Sequence, residues 1–320
     1  MRATGWPGRW TGATGRRFAL QDRAFSAALL GAAWLVLLVV VGLFVELTRA
    51  AWPALTGLGL APLASAQWDP NGGRYGVLSF VSGTLITSAI ALFAAGPIGI
   101  AAALFLAELT PPKIARLVGM LIELLAAVPS VIYGLWGLFV LAPLMRSAIE
   151  PFLKKTLGFL PLFQGPMYGV GLLTGGLILA IMVLPTVAAI SRDAFAAVPS
   201  EQREAMLALG ATKWEMLTKA VLPYARSGIV GALVLALGRA LGEAMAVVMV
   251  VGNKPAISAS LFSPGYTMAS VLANEFTEAT GPQYVSVLIE IGLLLFVVSF
   301  AVNGLARLLV GRISLRRGFR

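Results

Sequence analysis

"VPSEQREAMLALGATKWEMLTKAVLPYARSG", residues 198–228, is a charged stretch set between two long apolar runs. Glu201 and Glu204 suit the first turn of a helix, where negative charge meets the helix dipole. Ser200 is followed three residues later by Arg203, so a strict capping box is absent. Met206, Leu209, Trp214, Leu217 and Val221 recur at near-helical spacing around Gly210. The pattern predicts two short helices broken at Gly210 and ended by Pro223. A passive connector has no use for Met, Leu and Trp on one face. Such residues on a short helix pair point to docking in a groove of another protein.

The flanks explain why a polar connector stands out. The chain has 320 residues, 58% of them hydrophobic and 12% charged. An ordinary soluble domain carries roughly a quarter charged residues. Apolar runs of about 20 residues, the length that crosses a bilayer as a helix, recur along it. Six spans are expected: Phe25–Leu47, Leu78–Leu106, Leu117–Met145, Met167–Ile190, Gly228–Val251 and Tyr284–Val310. Pro97, Pro129 and Pro185 lie inside spans, where neighbouring helices compensate the freed carbonyls. The expected class is an all-α polytopic membrane protein of six transmembrane helices.

Lys and Arg orient it. Of the 24, seventeen fall on the side that holds the connector and both chain ends, and six on the other, with Arg239 in between. Both termini are therefore expected in the cytoplasm. Residues 1–24 show no helical period and read as a mobile basic tail on the anionic leaflet. Residues 48–77, rich in Pro and Gly, read as an extracytoplasmic loop. "PLASAQ" (residues 62–67) resembles a cleavage site, but the apolar run before it is too long for a signal peptide. Residues 78–310 form a five-helix core with the connector, 191–224, on its cytoplasmic side, followed by a basic C-terminus, 311–320. The net charge of +10 is spread over these ends and loops, which argues for orientation rather than nucleic-acid binding.

Cys and His are absent. That removes thiol nucleophiles, disulfides, Cys/His metal sites and imidazole catalysis. No Gly-Lys dipeptide occurs, so the phosphate-cradling loop of an ATPase is missing. "GVGLLTGG" (169–176) lies in an apolar span, where close helix packing explains its glycines. The chain does not read as an enzyme.

"GRALGEAMAV" (238–247) places Arg239 and Glu243 inside the fifth span. At i,i+4 on a helix they share a face and can pair. One reading is a salt bridge that locks two helices. The other is a pathway charge that meets an anion, with Glu243 holding the guanidinium until an anion competes.

The connector resembles the loop signature of the membrane subunits of bacterial ABC importers, EAA-x3-G-x9-I-x-L-P. Here it reads Glu204-Ala205-Met206, Gly210 and Leu222-Pro223, with Met206 and Ala220 departing from the pattern. "REAMLALGATKWEM", "VLPYARSGIVGA", "GRALGEAMAVVMVVGN" and "LIELLAAVPSVIYGLWGLFVLAPL" are similar to the C-type permeases of phosphate importers, over about residues 78–310. The resemblance implies the type I (MetI-like) permease fold in the bacterial inner membrane. It implies a coupling loop docked on a separate ATPase through Glu204, Ala205, Gly210, Leu222 and Pro223. It further implies an A-type permease as the other half of the pore, two ATP-binding subunits and an extracytoplasmic phosphate-binding protein. ATP is then bound by the partners, and no cofactor is expected here. The family pattern reads Gly-Glu-Thr where this chain has Ala244. A permease for sulfate or molybdate, and a non-transport scaffold, remain as alternative readings.

The topology is testable because the chain has no native Cys. Single cysteines at Ala3 and Ser314 are expected to label only after permeabilisation, and those at Ser65 and Ser260 from outside. Labelling of Ser65→Cys from the inside alone would refute the orientation.

Overall fold

The computed structural model describes residues 13–59 and 61–315, with side chains described from 21 to 308 apart from residue 60. The tail before residue 13 and the end after 315 lie outside the described residues. Residues Met1–Ala50 and Ala51–Arg320 form two units. Among the described residues, six helices are long and apolar enough to cross a membrane. Among the described residues the strand structure is one small hairpin, in which Trp68–Asp69 pairs antiparallel with Arg74–Tyr75, and residues 249–267 form a long irregular segment.

Helix α1 (Ala13–Leu58) differs from expectation at both ends. It begins within the segment read as an irregular tail and continues past Leu47, with Pro53 inside it. Once an apolar helix has nucleated, each added residue gains a hydrogen bond without a new nucleation penalty. Period alone therefore misses such extensions.

In the second unit, α2 (Leu78–Leu104) ends in a π turn, Phe105–Leu109. Then come α3 (Pro112–Ala126) and α4 (Ser130–Trp136), the latter continuing helically to Leu157. The third span, expected as Leu117–Met145, is thus broken at 127–129. Pro129 lies outside both helices rather than within one. The carbonyl that an N–H at position 129 would have met is that of Leu125, four residues back. The Tyr133 hydroxyl donates to this oxygen at 2.8 Å. The same oxygen also accepts from the Val128 N–H at 3.3 Å, so the hydroxyl adds a second bond where the proline offers none.

Helix α5 (Leu172–Ala196) lies at the centre of the unit and packs on α2, α3 and the fifth span. Ile178, Leu179, Met182, Val183 and Val187 are buried against Ala91 and Ala95 of α2. Contact with α2 is close: a Cβ on Gly176 would lie 2.6 Å from Ile90 Cβ. Small residues at such crossings bring backbones together in lipid, where dispersion supplies most of the attraction. The connector carries α6 (Ser200–Ala208) and α7 (Lys213–Met216). Helices α8 (Leu222–Leu241), α9 (Met245–Val248), α10 (Met268–Glu275) and α11 (Pro282–Leu315) complete the chain. The fifth and sixth spans therefore start earlier than expected, and the fifth is no longer helical at 242–244.

At the end opposite the connector, the hairpin is tied to α10 and α11. Trp68 Nε1 donates to Glu275 Oε2 at 2.9 Å, and the Tyr284 hydroxyl donates to the same oxygen. The Trp68 ring meets Phe80 edge-on, with centroids 4.9 Å apart. The segment expected to be an irregular loop at 48–77 thus contains the end of α1, a turn of helix at Ala61–Ala64 and this hairpin.

Tyr133→Phe is expected to lower stability by about 1 kcal/mol, the net worth of one hydrogen bond. In a Pro129→Ala background the loss is expected to shrink, since the restored N–H can serve the Leu125 carbonyl. Denaturant unfolding in detergent measures both. An unchanged midpoint for Tyr133→Phe would show that the hydroxyl does not hold the break.

Candidate functional site

The connector breaks where its sequence says it does. Gly210 has φ +80°, a conformation that a side chain strongly disfavours, and it separates α6 from α7. Thr212 caps α7: its hydroxyl accepts from the Glu215 N–H at 3.2 Å, and Glu215 Oε2 accepts from the Thr212 N–H at 3.1 Å. Pro223 does not end the second helix. It stands in the first turn of α8, which follows α7 through a π turn at Leu217–Val221. A prolyl ring clashes with the carbonyl four residues back. That carbonyl belongs to Lys219, inside the wider turn, so the chain can run on.

The apolar residues of the connector do not share one face. Leu217 and Val221 are buried with Phe195, Val198 and Ile229, and Met206 packs against that cluster. Leu207, Leu209 and Trp214 point outward, Leu209 being 84% and Trp214 70% exposed. Glu204, Ala205, Gly210 and Pro223 are exposed, and so is Leu222. The expected loop residues therefore lie on an open surface, while part of the apolar pattern anchors that surface to the bundle.

Arg239 and Glu243 are not a helical pair. Helix α8 ends at Leu241, with Gly242 as its cap. Glu243 turns forward, and its Oε1 accepts from the Ala246 N–H at 3.1 Å, at the start of α9. Ala244 occupies the N-cap of α9 without a side-chain bond. A Thr hydroxyl at an N-cap serves the same kind of amide, so Glu243 takes over that role here. Arg239 reaches the other way. Its Nη1 donates to the Thr186 hydroxyl of α5 at 3.4 Å. It also lies close enough to Tyr133 for electrostatic interaction.

Arg239 and Thr186 line a cavity of about 820 Å³ with Ser227, Asn303 and Arg307. The rest of the wall is a stripe of α8: Val230, Gly231, Val234, Leu235 and Gly238. Ser227 is twelve residues before Arg239, about 18 Å along the helix. The cavity thus leads from the connector end toward mid-span. Asn303 Nδ2 donates to the Ser299 carbonyl at 2.9 Å, and its Oδ1 has no partner among the described residues. Two guanidinium groups, two hydroxyls and an amide on an apolar wall suit an oxyanion. The sequence pointed to Arg239 alone. Arg307 read as one of many orienting charges, and Thr186 and Asn303 are ordinary residues in apolar runs. Only the packing of α5, α8 and α11 brings them together.

The family model described as the binding-protein-dependent transport system inner membrane component matches residues 95–315. The chain belongs to that family of multi-pass transport components. It is similar to the phosphate transport system permease protein PstC of Mesorhizobium japonicum, 47% identical over 96% of this chain and 95% of that one. It is likewise similar to PstC of Xylella fastidiosa, at 44% over 94% of each. PstC of Pasteurella multocida is 45% identical over 88% of this chain and 89% of its own. Among solved structures, a bacterial alginate ABC transporter in complex with an alginate pentasaccharide-bound periplasmic protein has TM-score 0.60 and 17% identity, over 93% of this chain and 97% of that one. The inward-facing MetNI methionine ABC transporter has TM-score 0.50 and 20% identity, over 75% and 98%. These two share the fold, that of ABC importer permeases.

A double-mutant cycle on unfolding free energy checks the separation of the two charges. Arg239→Gln with Glu243→Gln is expected to be additive within about 0.5 kcal/mol. Arg239→Gln with Thr186→Val is expected to couple more strongly. A coupling above about 1 kcal/mol between Arg239 and Glu243 would restore the salt bridge.

Proposed function

We propose that this chain is the membrane permease of an ATP-driven importer for inorganic phosphate in the bacterial inner membrane, with both termini cytoplasmic. It forms one half of the translocation pathway, an A-type permease forming the other. An extracytoplasmic phosphate-binding protein delivers the anion. Two ATPase subunits bind and hydrolyse ATP, one of them docking on the exposed surface of Glu204, Ala205, Gly210, Leu222 and Pro223 with Leu209 and Trp214. The chain itself carries no cofactor.

The observation that carries this reading is the cavity in which Arg239 and Arg307 face one space. The similarity to phosphate permeases supports the choice of anion. Arg239 is the central contact and Thr186 its neutral partner. Glu243 holds the break between α8 and α9 beside it. A planar guanidinium grips phosphate oxygens in pairs, and Arg307 draws the released anion toward the cytoplasm. Ser227, on the same wall nearer the connector end, offers a hydroxyl beyond them.

In the assembled complex, Arg239→Gln is expected to reduce phosphate uptake at least about 100-fold, as losing a charged hydrogen-bonding partner implies. Co-purification of the ATPase is expected to stay intact. Arsenate is expected to compete for uptake and sulfate and molybdate are not. Uptake by Arg239→Gln at the parental rate would remove the pathway role, and equal competition by molybdate would reassign the substrate.

A further inference from the structure

The connector helix α6 turns one charged side chain inward. Arg203 Nη2 donates to Glu108 Oε1 at 2.7 Å, and its Nε lies 3.2 Å from each carboxylate oxygen. The same guanidinium donates to the main-chain carbonyls of Phe195, at 2.9 Å, and Val198. Glu108 stands in the π turn that ends α2, and its side chain is only 7% exposed. Phe195 lies in the last turn of α5, where carbonyls lack helical donors and favour a cation. One planar fork therefore ties the ends of two membrane helices to α6.

This pair differs from the other ion pairs of the bundle. Arg192–Glu123 has a carboxylate that is 60% exposed, and a pair so open to water holds little. Glu108, once buried, has no solvent to replace Arg203. On α6, Met206 is the other side chain turned toward the bundle, while the flanking residues are exposed. Helix α5 also carries Thr186, the partner of Arg239, nine residues before Phe195 and about 14 Å along the helix.

We propose that Arg203 and Glu108 form the joint through which movement of α6 passes into α2 and α5, and by way of α5 into the Arg239 cavity. They are positioning residues and touch no anion. The inference rests on the reading that α6 docks on an ATPase. A sliding apolar contact transmits little direction, whereas a bidentate pair with two further carbonyl bonds fixes orientation as well as distance.

The test uses the complex assembled with its ATPase, with Ser227→Cys as the chain's single thiol on the cavity wall. The rate of thiol labelling is measured with and without ATP. Glu108→Gln and Arg203→Lys keep size and polarity but lose the charged fork. In both, the ATP-dependent change in labelling is expected to fall by roughly an order of magnitude, with ATPase capture and ATP hydrolysis retained. Exchanging the charges, Arg203→Glu with Glu108→Arg, is expected to recover part of the change. A full ATP-dependent change in both single variants overturns the joint. So does a lost change that is accompanied by loss of ATPase capture, which would make the pair a support for docking alone. Absence of any ATP effect in the parent Ser227→Cys complex overturns it as well. ATP rather than phosphate is the variable, so a wrong choice of anion shows in the uptake measurement and leaves this outcome readable.

Discussion

In hydrocarbon no water completes an unpaired amide or carbonyl, so each interruption of a spanning helix must carry its own replacement donor or acceptor. The interruptions in this chain are spaced by that demand. Pro129 removes an N–H, and the Leu125 carbonyl accepts from the Val128 N–H and from the Tyr133 hydroxyl. Where Gly242 ends α8, the Glu243 carboxylate accepts from Ala246 and starts α9. At the first residue of α10, the Thr84 hydroxyl of α2 accepts from the Met268 N–H at 2.9 Å. A fold made this way can bend at chosen depths without opening to lipid, and its functional groups gather at the bends.

The spans were legible in the sequence because hydropathy reports the solvent directly, and the solvent here is lipid. The break at Gly210 was legible because a glycine after a helical period has a local reason to be there. Pro129, Pro223 and the Arg239–Glu243 pair were misread for a common cause. Each reading treated the helix as continuous or stopped, whereas π turns and short breaks let it change direction. Spacing at i,i+4 implies a shared face only if the helix persists, and here it ends between the two charges. The cavity was illegible beyond Arg239, since Thr186 and Asn303 come from helices far apart in the chain. Glu108 and Arg203, 95 residues apart, carry no local sign of each other.

The central position of α5 joins the two ends of the problem. Its last turn offers carbonyls to Arg203, and its middle offers the Thr186 hydroxyl to Arg239. Its apolar face is packed closely against α2. The stretch from Thr186 to the end of α5 follows Pro185 without a further proline and is packed along one side, so it can move as a body. In the proposed coupling, a change imposed at the connector passes along this helix to mid-span. The exposed loop residues and the half-buried Arg239 are, in that coupling, parts of one path, from the connector into the span that directly follows it.

The partner chosen for Arg239 bears on what the cavity can do. A carboxylate within reach would neutralise the guanidinium, and an arriving anion would have to displace a charge. Thr186 is neutral and its bond is long, at 3.4 Å. A guanidinium has five N–H donors, so one such contact leaves most of its capacity unspent. A charge at this depth costs at least about 2.5 kcal/mol, and the arrangement leaves that cost largely uncompensated within the described chain. An oxyanion binding there recovers it. Because Thr186 and Arg307 remain as alternative contacts along the same wall, the gain need not become a trap: conduction requires binding strong enough to enter and sites close enough to leave by.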